Sequence, residues 1–234
     1  MDLSELKELL KDVDISELSA YVDQDDAEEV NMFELLQMMM NLRTASRNGQ
    51  WQSVETISEG MIPKCQSSDF LPFLWFAKYL LATAYKMQHK NEEALALYLQ
   101  IIGLGTDPQM REPLEKALDE IPFGQDSFET ERMVANAFVS FVDVGITVSR
   151  VPLVHLHLLV NDSFYFVETI GHPEWGHQFH LARSQIFLEE GKYQEALEEA
   201  IKGLVLRQAN SSAPGYSLTI HLNHVGLCLI KLNR

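Results

Sequence analysis

The sequence predicts an all-α chain. Apolar residues recur at helical spacing almost throughout, alternating strand patterns are scarce, and short turn signals fall at intervals suited to paired helices. The signals include Asn48-Gly49, Pro63, Gly105 to Pro108, Pro122 to Gly124, Gly171 to Pro173, Gly191 and Pro214-Gly215. Val134 to Val151 is rich in β-branched residues, but it lies inside a helical series and is read as helix.

The elements begin with an acidic segment. Leu3, Leu6, Leu10 and Val13 form one apolar stripe, with Asp2 and Glu5 at capping-box spacing. Asp14 and Glu17 repeat that spacing before Ile15, Leu18 and Val22, so the acidic segment 1–30 reads as two short amphipathic helices followed by the run Asp23 to Glu29, a solvated linker or a docking segment for a basic partner. The 234 residues carry 34 acids against 18 basic side chains, a net charge of −16. Eleven of the acids lie in residues 1–30 against Lys7 and Lys11, so −9 belongs there and −7 to the remainder. Such a balance argues against a nucleic-acid backbone and against an anionic membrane surface as partner.

From residue 31 a helical domain is expected to run to 234. Its longest nearly apolar stretch, Phe70 to Tyr85, is interrupted by Lys78 and too short to span a bilayer. Cys65 and Cys228 lie far apart with no CxxC pair; one disulfide is left open, but two lone thiols suit a reducing compartment. The start, Met1-Asp2-Leu3-Ser4-Glu5, lacks the basic and apolar regions of a secretory signal, so a cytoplasmic location is expected.

Self-similarity organises this domain. Residues 75–108 contain Leu81-Ala82-x-x-Tyr85 and, nine residues after that tyrosine, Ala94-x-x-x-Tyr98. This resembles the tetratricopeptide repeat (TPR), a helix–turn–helix unit of about 34 residues. Small residues let the paired helices approach, and aromatics such as Tyr85 and Phe187 fill the space between turns. A second unit, 177–210, shows Ser184-x-x-Phe187, the turn Gly191-Lys192-Tyr193 and Ala196-x-x-x-Ala200, with Arg183 departing from the family's leucine. Ala94 and Ala196 are 102 residues apart, three repeat lengths, which leaves room for two degenerate units at about 109–142 and 143–176. Gly49-Gln50-Trp51-x-x-Val54 echoes a turn and second helix, and Leu222-x-x-Val225-Gly226-x-x-Leu229 a first helix, a half repeat over 219–234.

The resemblance implies an α-solenoid of TPR-like helix–turn–helix repeats, some degenerate, behind the acidic helical N-terminus. It implies a concave groove lined by first helices, here Phe76, Tyr79, Thr83 and Lys86, then Gln178, Leu181, Gln185 and Leu188. That lining suits an extended or helical segment of another protein. It lacks the lysine, arginine and asparagine with which some members grip acidic chaperone tails. The stretch Leu222, Val225, Leu227, Cys228, Leu229, Ile230, Leu232 is apolar nearly all round, so its helix is expected to be covered by another chain, by self-association, or by further repeats of a longer protein.

Histidine is the residue type with catalytic potential in quantity. His172, His177 and His180 surround Pro173-Glu174-Trp175-Gly176, with His155, His157, His221 and His224 beyond. Imidazoles at such spacing can share a metal on one helical face, but Pro173 and Gly176 break the helix and no cysteine joins them. They are read as surface or boundary residues, with a metal-dependent enzyme at His172–His180 as an alternative. Met32, Met38, Met39 and Met40 read as core filling or as an adaptable face, and Trp51, Trp75 and Trp175 as packing residues, Trp175 partly exposed. The expected function is a non-enzymatic, cofactor-free interaction scaffold or adaptor, with a secretion-type chaperone as a further alternative.

Overall fold

The computed structural model describes residues 32–67, 70–120, 130–148, 151–209 and 215–233. The acidic segment 1–30, with its two expected helices, lies outside the described residues. Among those described there are ten α-helices and no strand. They are α1 (Met32–Arg47), α2 (Trp51–Ser67), α3 (Leu71–Met87), α4 (Asn91–Thr106), α5 (Pro108–Glu120), α6 (Thr130–Val148), α7 (Leu153–Thr169), α8 (Gly176–Glu189), α9 (Tyr193–Ala209) and α10 (Gly215–Leu232). A 3₁₀ turn at Pro173–Trp175 separates α7 from α8, as the proline and glycine there require. The β-branched run that begins at Val134 is helical, because its apolar side faces neighbouring helices.

Three hairpins, α1–α2, α3–α4 and α8–α9, turn in one way. The second residue past each first helix sits in the left-handed region: Gly49 at φ 67°, His89 at 60° and Gly191 at 74°. Its N–H donates to a carbonyl three residues back (Ser46, Lys86, Leu188), and the next N–H reaches one five back (Ala45, Tyr85, Phe187). That is the Schellman closure, which satisfies carbonyls a helix end otherwise leaves bare. The carbonyl of the residue after the left-handed one then accepts the first bond of the following helix, from Val54, Ala94 and Ala196. α5 starts differently: the Asp107 carboxylate accepts from the Gln109 N–H at 2.9 Å, and Pro108 takes the first helical position.

Burial follows one register through the three hairpins. Fourteen and seven residues before the left-handed residue, Leu35, Trp75, His177 and Leu42, Ala82, Ser184 are buried. Five, nine and twelve after it, so are Val54, Ala94, Ala196, then Ser58, Tyr98, Ala200, then Met61, Ile101, Gly203. Tyr85 and Phe187, expected as buried aromatics, are half-buried at the rim instead. The Tyr85 hydroxyl donates to Glu59 at 3.0 Å, and the Phe187 ring meets His157 at 5.1 Å. The large aromatic at the centre of its hairpin is Tyr98, fully buried.

Side-chain contacts give the directions of the helices. Within hairpins they run antiparallel: Glu34 with Lys64, Lys78 with Gln100, His180 with Glu199. Between hairpins the same holds for α2 and α3, through Glu59–Tyr85 and Glu55–Gln88. It holds too for α7 and α8, through His157–Glu190 and Asn161–Arg183. The helices α1, α3, α6, α8 and α10 also touch in succession. Along α3 and α6 the partners ascend together, Tyr79 with Asn136 and Lys86 with Asp143, so these two are parallel neighbours. α8 and α10 are parallel by the same test, His177 meeting His221 and Ser184 meeting His224.

Three apolar clusters fill the spaces between. One joins α1, α2 and one side of α3; the largest runs from the other side of α3 through α4 to α8; a small one lies under α9 and α10. Pro63, read from sequence as a turn signal, lies inside α2. Met61 and Cys65, both fully buried on either side of it, hold the helix through the lost hydrogen bond. Cys65 and Cys228 form no disulfide; they lie buried in different clusters, and burial pushes the Cys65 thiol up to about 11. Among the described residues no helix is long and apolar enough to cross a membrane.

The α3–α4 turn carries a histidine where its two counterparts carry glycine. A side chain in the left-handed region costs on the order of 1–2 kcal/mol, offset in part by glycine's greater freedom when unfolded. His89→Gly should therefore raise unfolding free energy by about 0.5–1 kcal/mol in urea titration. A decrease would show that the His89 side chain makes a compensating contact.

Candidate functional site

The eight groove residues expected from sequence fall on the first helices of two hairpins, and none is fully exposed. Phe76 packs against the N-terminal cluster with the Arg43 guanidinium 5.2 Å above its ring. Tyr79 is wedged between the two large clusters, and burial raises its phenol to about 12. Its truncation would therefore damage the fold, and it is a poor reporter of binding. Thr83 donates to the Tyr79 carbonyl at 3.0 Å and accepts from the Tyr98 hydroxyl at 3.4 Å. Lys86 pairs with Asp143 of α6 at 2.6 Å. Gln178, Leu181, Gln185 and Leu188 are half-buried on α8, Leu188 against the C-terminal cluster.

The hairpin register adds residues that motif matching missed. Positions thirteen, six and three before the left-handed residue are Leu36, Arg43 and Ser46 on α1, Phe76, Thr83 and Lys86 on α3, and Gln178, Gln185 and Leu188 on α8. None of the nine is buried. Leu36 and Met40 are 45% and 47% exposed, large apolar side chains one turn apart beside Arg43. Met39 is core and Met40 is surface, so the methionine cluster divides between the two expected roles. The signal that could have found the α1 residues is the Gly49 turn, aligned on Gly191. α6 contributes Asn136 and Asp143 to the same side through their bonds to α3.

The histidines form a second constellation, and three of them, His177, His221 and His224, depart from the expected surface or boundary placement. His172 is exposed, stacked on the half-buried Trp175 at 4.4 Å and bonded to Glu174 at 2.9 Å. His180 donates through Nδ1 to Glu199 at 2.7 Å. His177, His221 and His224 are buried where α8, α9 and α10 meet. Small side chains on α9 let α8 come close enough to cover polar atoms there. The trio His172, His177 and His180 is thus dispersed. Among the described residues no group of three or more His, Cys, Asp or Glu is arranged to hold a metal ion.

Electrostatics in this region follows burial. Glu199 is nearly buried, yet its carboxyl stays at about 2, because bonds from His180 and Lys202 outweigh the desolvation that would raise it. His177 and His224 are lowered to about 4, chiefly by desolvation. Ser184 and His224 are 2.9 Å apart, the reach of a nucleophile and its base. The Ser184 proton, however, goes to the Ala196 carbonyl at 2.6 Å, and both side chains are buried. The pair acts as a structural hydrogen bond.

Gly203 makes the close approach of α8 and α9 possible. A Cβ there would stand 2.9 Å from the His177 carbonyl oxygen and 3.2 Å from the His180 Cβ, whereas one at Gly226 would meet open space. Gly203→Ala should cost about 1–3 kcal/mol by overpacking. Gly226→Ala should be neutral or gain up to about 1 kcal/mol from helix propensity. Urea unfolding of the two variants checks both, and equal effects would contradict the close approach. In comparison with family models, curated proteins and solved structures, the chain matches none.

Proposed function

We propose that the chain is a non-enzymatic interaction scaffold in which TPR-like helix hairpins stack as a solenoid and hold a peptide or helical segment of another protein. The carrying observation is the strip at matching positions of α1, α3 and α8, left unburied in all three hairpins beside the buried positions Leu35, Trp75, His177 and Leu42, Ala82, Ser184. Parallel first helices set side by side would align these strips into one surface. The surface would be mixed: Leu36, Met40 and Phe76 as apolar anchors, Arg43 and Lys86 as cations, Gln178 and Gln185 as amides. An amphipathic or extended segment held by apolar anchors and side-chain hydrogen bonds is the complementary partner.

A second reading is carried by α10, which exposes Leu222, Leu229 and Ile230, the last 55% accessible. Self-association through that face would bury them.

One experiment separates the two. The variant Leu36→Asp, Arg43→Glu, Gln185→Arg changes exposed or half-exposed positions, so its melting temperature should move by only about 1–4 °C. Affinity capture by the variant should lose the partner retained by the wild type, a weakening on the order of tenfold or more. Capture that survives this change but is lost on Leu222→Lys with Ile230→Lys would move the binding surface to α10. Capture unaffected by the first variant would contradict the groove reading, and a solution mass unchanged by Leu222→Lys with Ile230→Lys would contradict self-association through α10.

A further inference from the structure

Helix α10 is inverted with respect to an ordinary surface helix. Such helices dock through an apolar stripe and turn polar residues outward. α10 buries His221, His224 and Cys228, spaced three and four residues apart, and exposes Leu222, Leu229 and Ile230. Its attachment to α8 is largely polar, while towards α9 it adds the small cluster of Ala196, Ala200 and Cys228 with Leu197 and Val225. The Ser184 hydroxyl spends its proton on the Ala196 carbonyl, so towards His224 it accepts, and the imidazole Nε2–H is the donor. Cys228 Sγ lies 3.7 Å from the same oxygen, as a second donor. Earlier along α10, His221 Nε2 is 3.2 Å from the His177 carbonyl, which can only accept. The His177 and His221 rings meet edge to face at 5.1 Å, and among the described residues the buried His177 Nδ1 has no hydrogen-bond partner.

The charges around these rings are already committed. Around His177 stand His221 of α10, the buried Arg207 of α9 and His180 of α8, and beside His224 stands His221; Glu199 and Lys202 of α9 meet His180. Glu199 is shared by His180 and Lys202. Arg183 and Glu190 of α8 bond to α7, Glu195 and Glu198 of α9 are exposed, and Lys231 of α10 is exposed. A proton added to His177 thus places positive charge beside Arg207, and one added to His224 places it in a buried contact with Ser184 and His221.

We propose that α10 is an acid-released latch: protonation of the buried imidazoles between α8 and α10 detaches α10 and uncovers the α8–α9 hairpin, while the N-terminal hairpins stay folded. Helices α1 to α4 carry no histidine, and His89, in the turn between α3 and α4, is exposed. His177 and His224, held at about 4 when docked, return towards about 6.5 once α10 is released. The released form binds more protons between those limits, so docking weakens as pH falls from about 6.5 to about 4 and weakens no further below.

Hydrogen exchange of the full chain, corrected for intrinsic rates, tests this between pH 7 and pH 4. Protection of residues 215–232 should fall by about tenfold per pH unit for each histidine, up to about a hundredfold for two, with residues 71–106 unchanged. His224→Gln keeps an N–H donor for Ser184 without titrating, and should reduce the dependence to about tenfold per unit. Protection at 215–232 that stays flat to pH 4, or falls together with 71–106, overturns the latch. If the variant leaves α10 unprotected at pH 7, the NMR titration of the wild-type imidazoles decides. Midpoints for His177 and His224 well below 6 support the latch, and midpoints near 6.5 overturn it.

Discussion

A single backbone constraint organises this structure. Each of three first helices ends on a residue in the left-handed region, and its N–H and the next turn back onto carbonyls of the helix just completed. The closure reverses the chain within three residues and fixes where the second helix begins. It thereby sets which residues of the two helices meet: Val54, Ala94 and Ala196 occupy one buried position, fixed by distance from the turn. Small side chains at that position then allow close packing. The turn residue at φ 78° that ends α7, Gly171, closes in the same way onto Glu168 and Val167, though it joins two hairpins instead of the halves of one.

Hairpins built alike need not be joined alike. At the N-terminal end the joints are apolar, reinforced by the buried Glu55, which accepts from Gln88 at 2.8 Å and Lys90 at 2.5 Å. Lys90 holds that carboxyl below the usual range, so the pair ties α2 to the turn between α3 and α4. Further on, the largest cluster passes without interruption from α3 to α8, with Phe138 at its centre against Phe166 and Phe179. Past α8 the apolar side chains thin out and imidazoles, a serine and a thiol take their place. A joint of this kind depends on the neutrality of its groups, whereas an apolar joint does not. The two ends should therefore respond differently to the same change of solvent.

Much of the helix framework is legible in the sequence, because small residues, aromatics and glycine turns are demanded by packing at fixed spacing. The all-helical class, the hairpins at 75–108 and 177–210 and the helix after residue 215 follow from those residues. Pro63 is misleading, since its rule is local and the burial of Met61 and Cys65 overrides it. His89 is silent, since histidine does not advertise a left-handed turn, and only the spacing of Tyr85 and Ala94 reveals it. The α1 residues of the candidate surface, Leu36 and Arg43, emerge only once Gly49 is aligned on Gly191. The inward face of α10 is hidden for another reason: six apolar residues from Leu222 to Leu232 surround the buried His221, His224 and Cys228, and hydrophobicity alone points the helix the wrong way. The role of His177, His221 and His224 became visible with the Ser184 and Ala196 contacts, which spacing does not encode.

The most direct measurement of the organising turn is native-state hydrogen exchange at single-residue resolution. The N–H groups of Gly49, Gln50, His89, Lys90, Gly191 and Lys192 would sit in exposed loops in any structure lacking the closure, and would exchange close to their intrinsic rates. With the closure, each donates to a carbonyl at 2.9–3.1 Å and should be protected to a degree comparable with the helix ends that it seals. Protection at all three turns is the expected result. Free exchange at Gln50, Lys90 and Lys192, the residues that reach back five positions, would contradict the common turn and the hairpin register that rests on it.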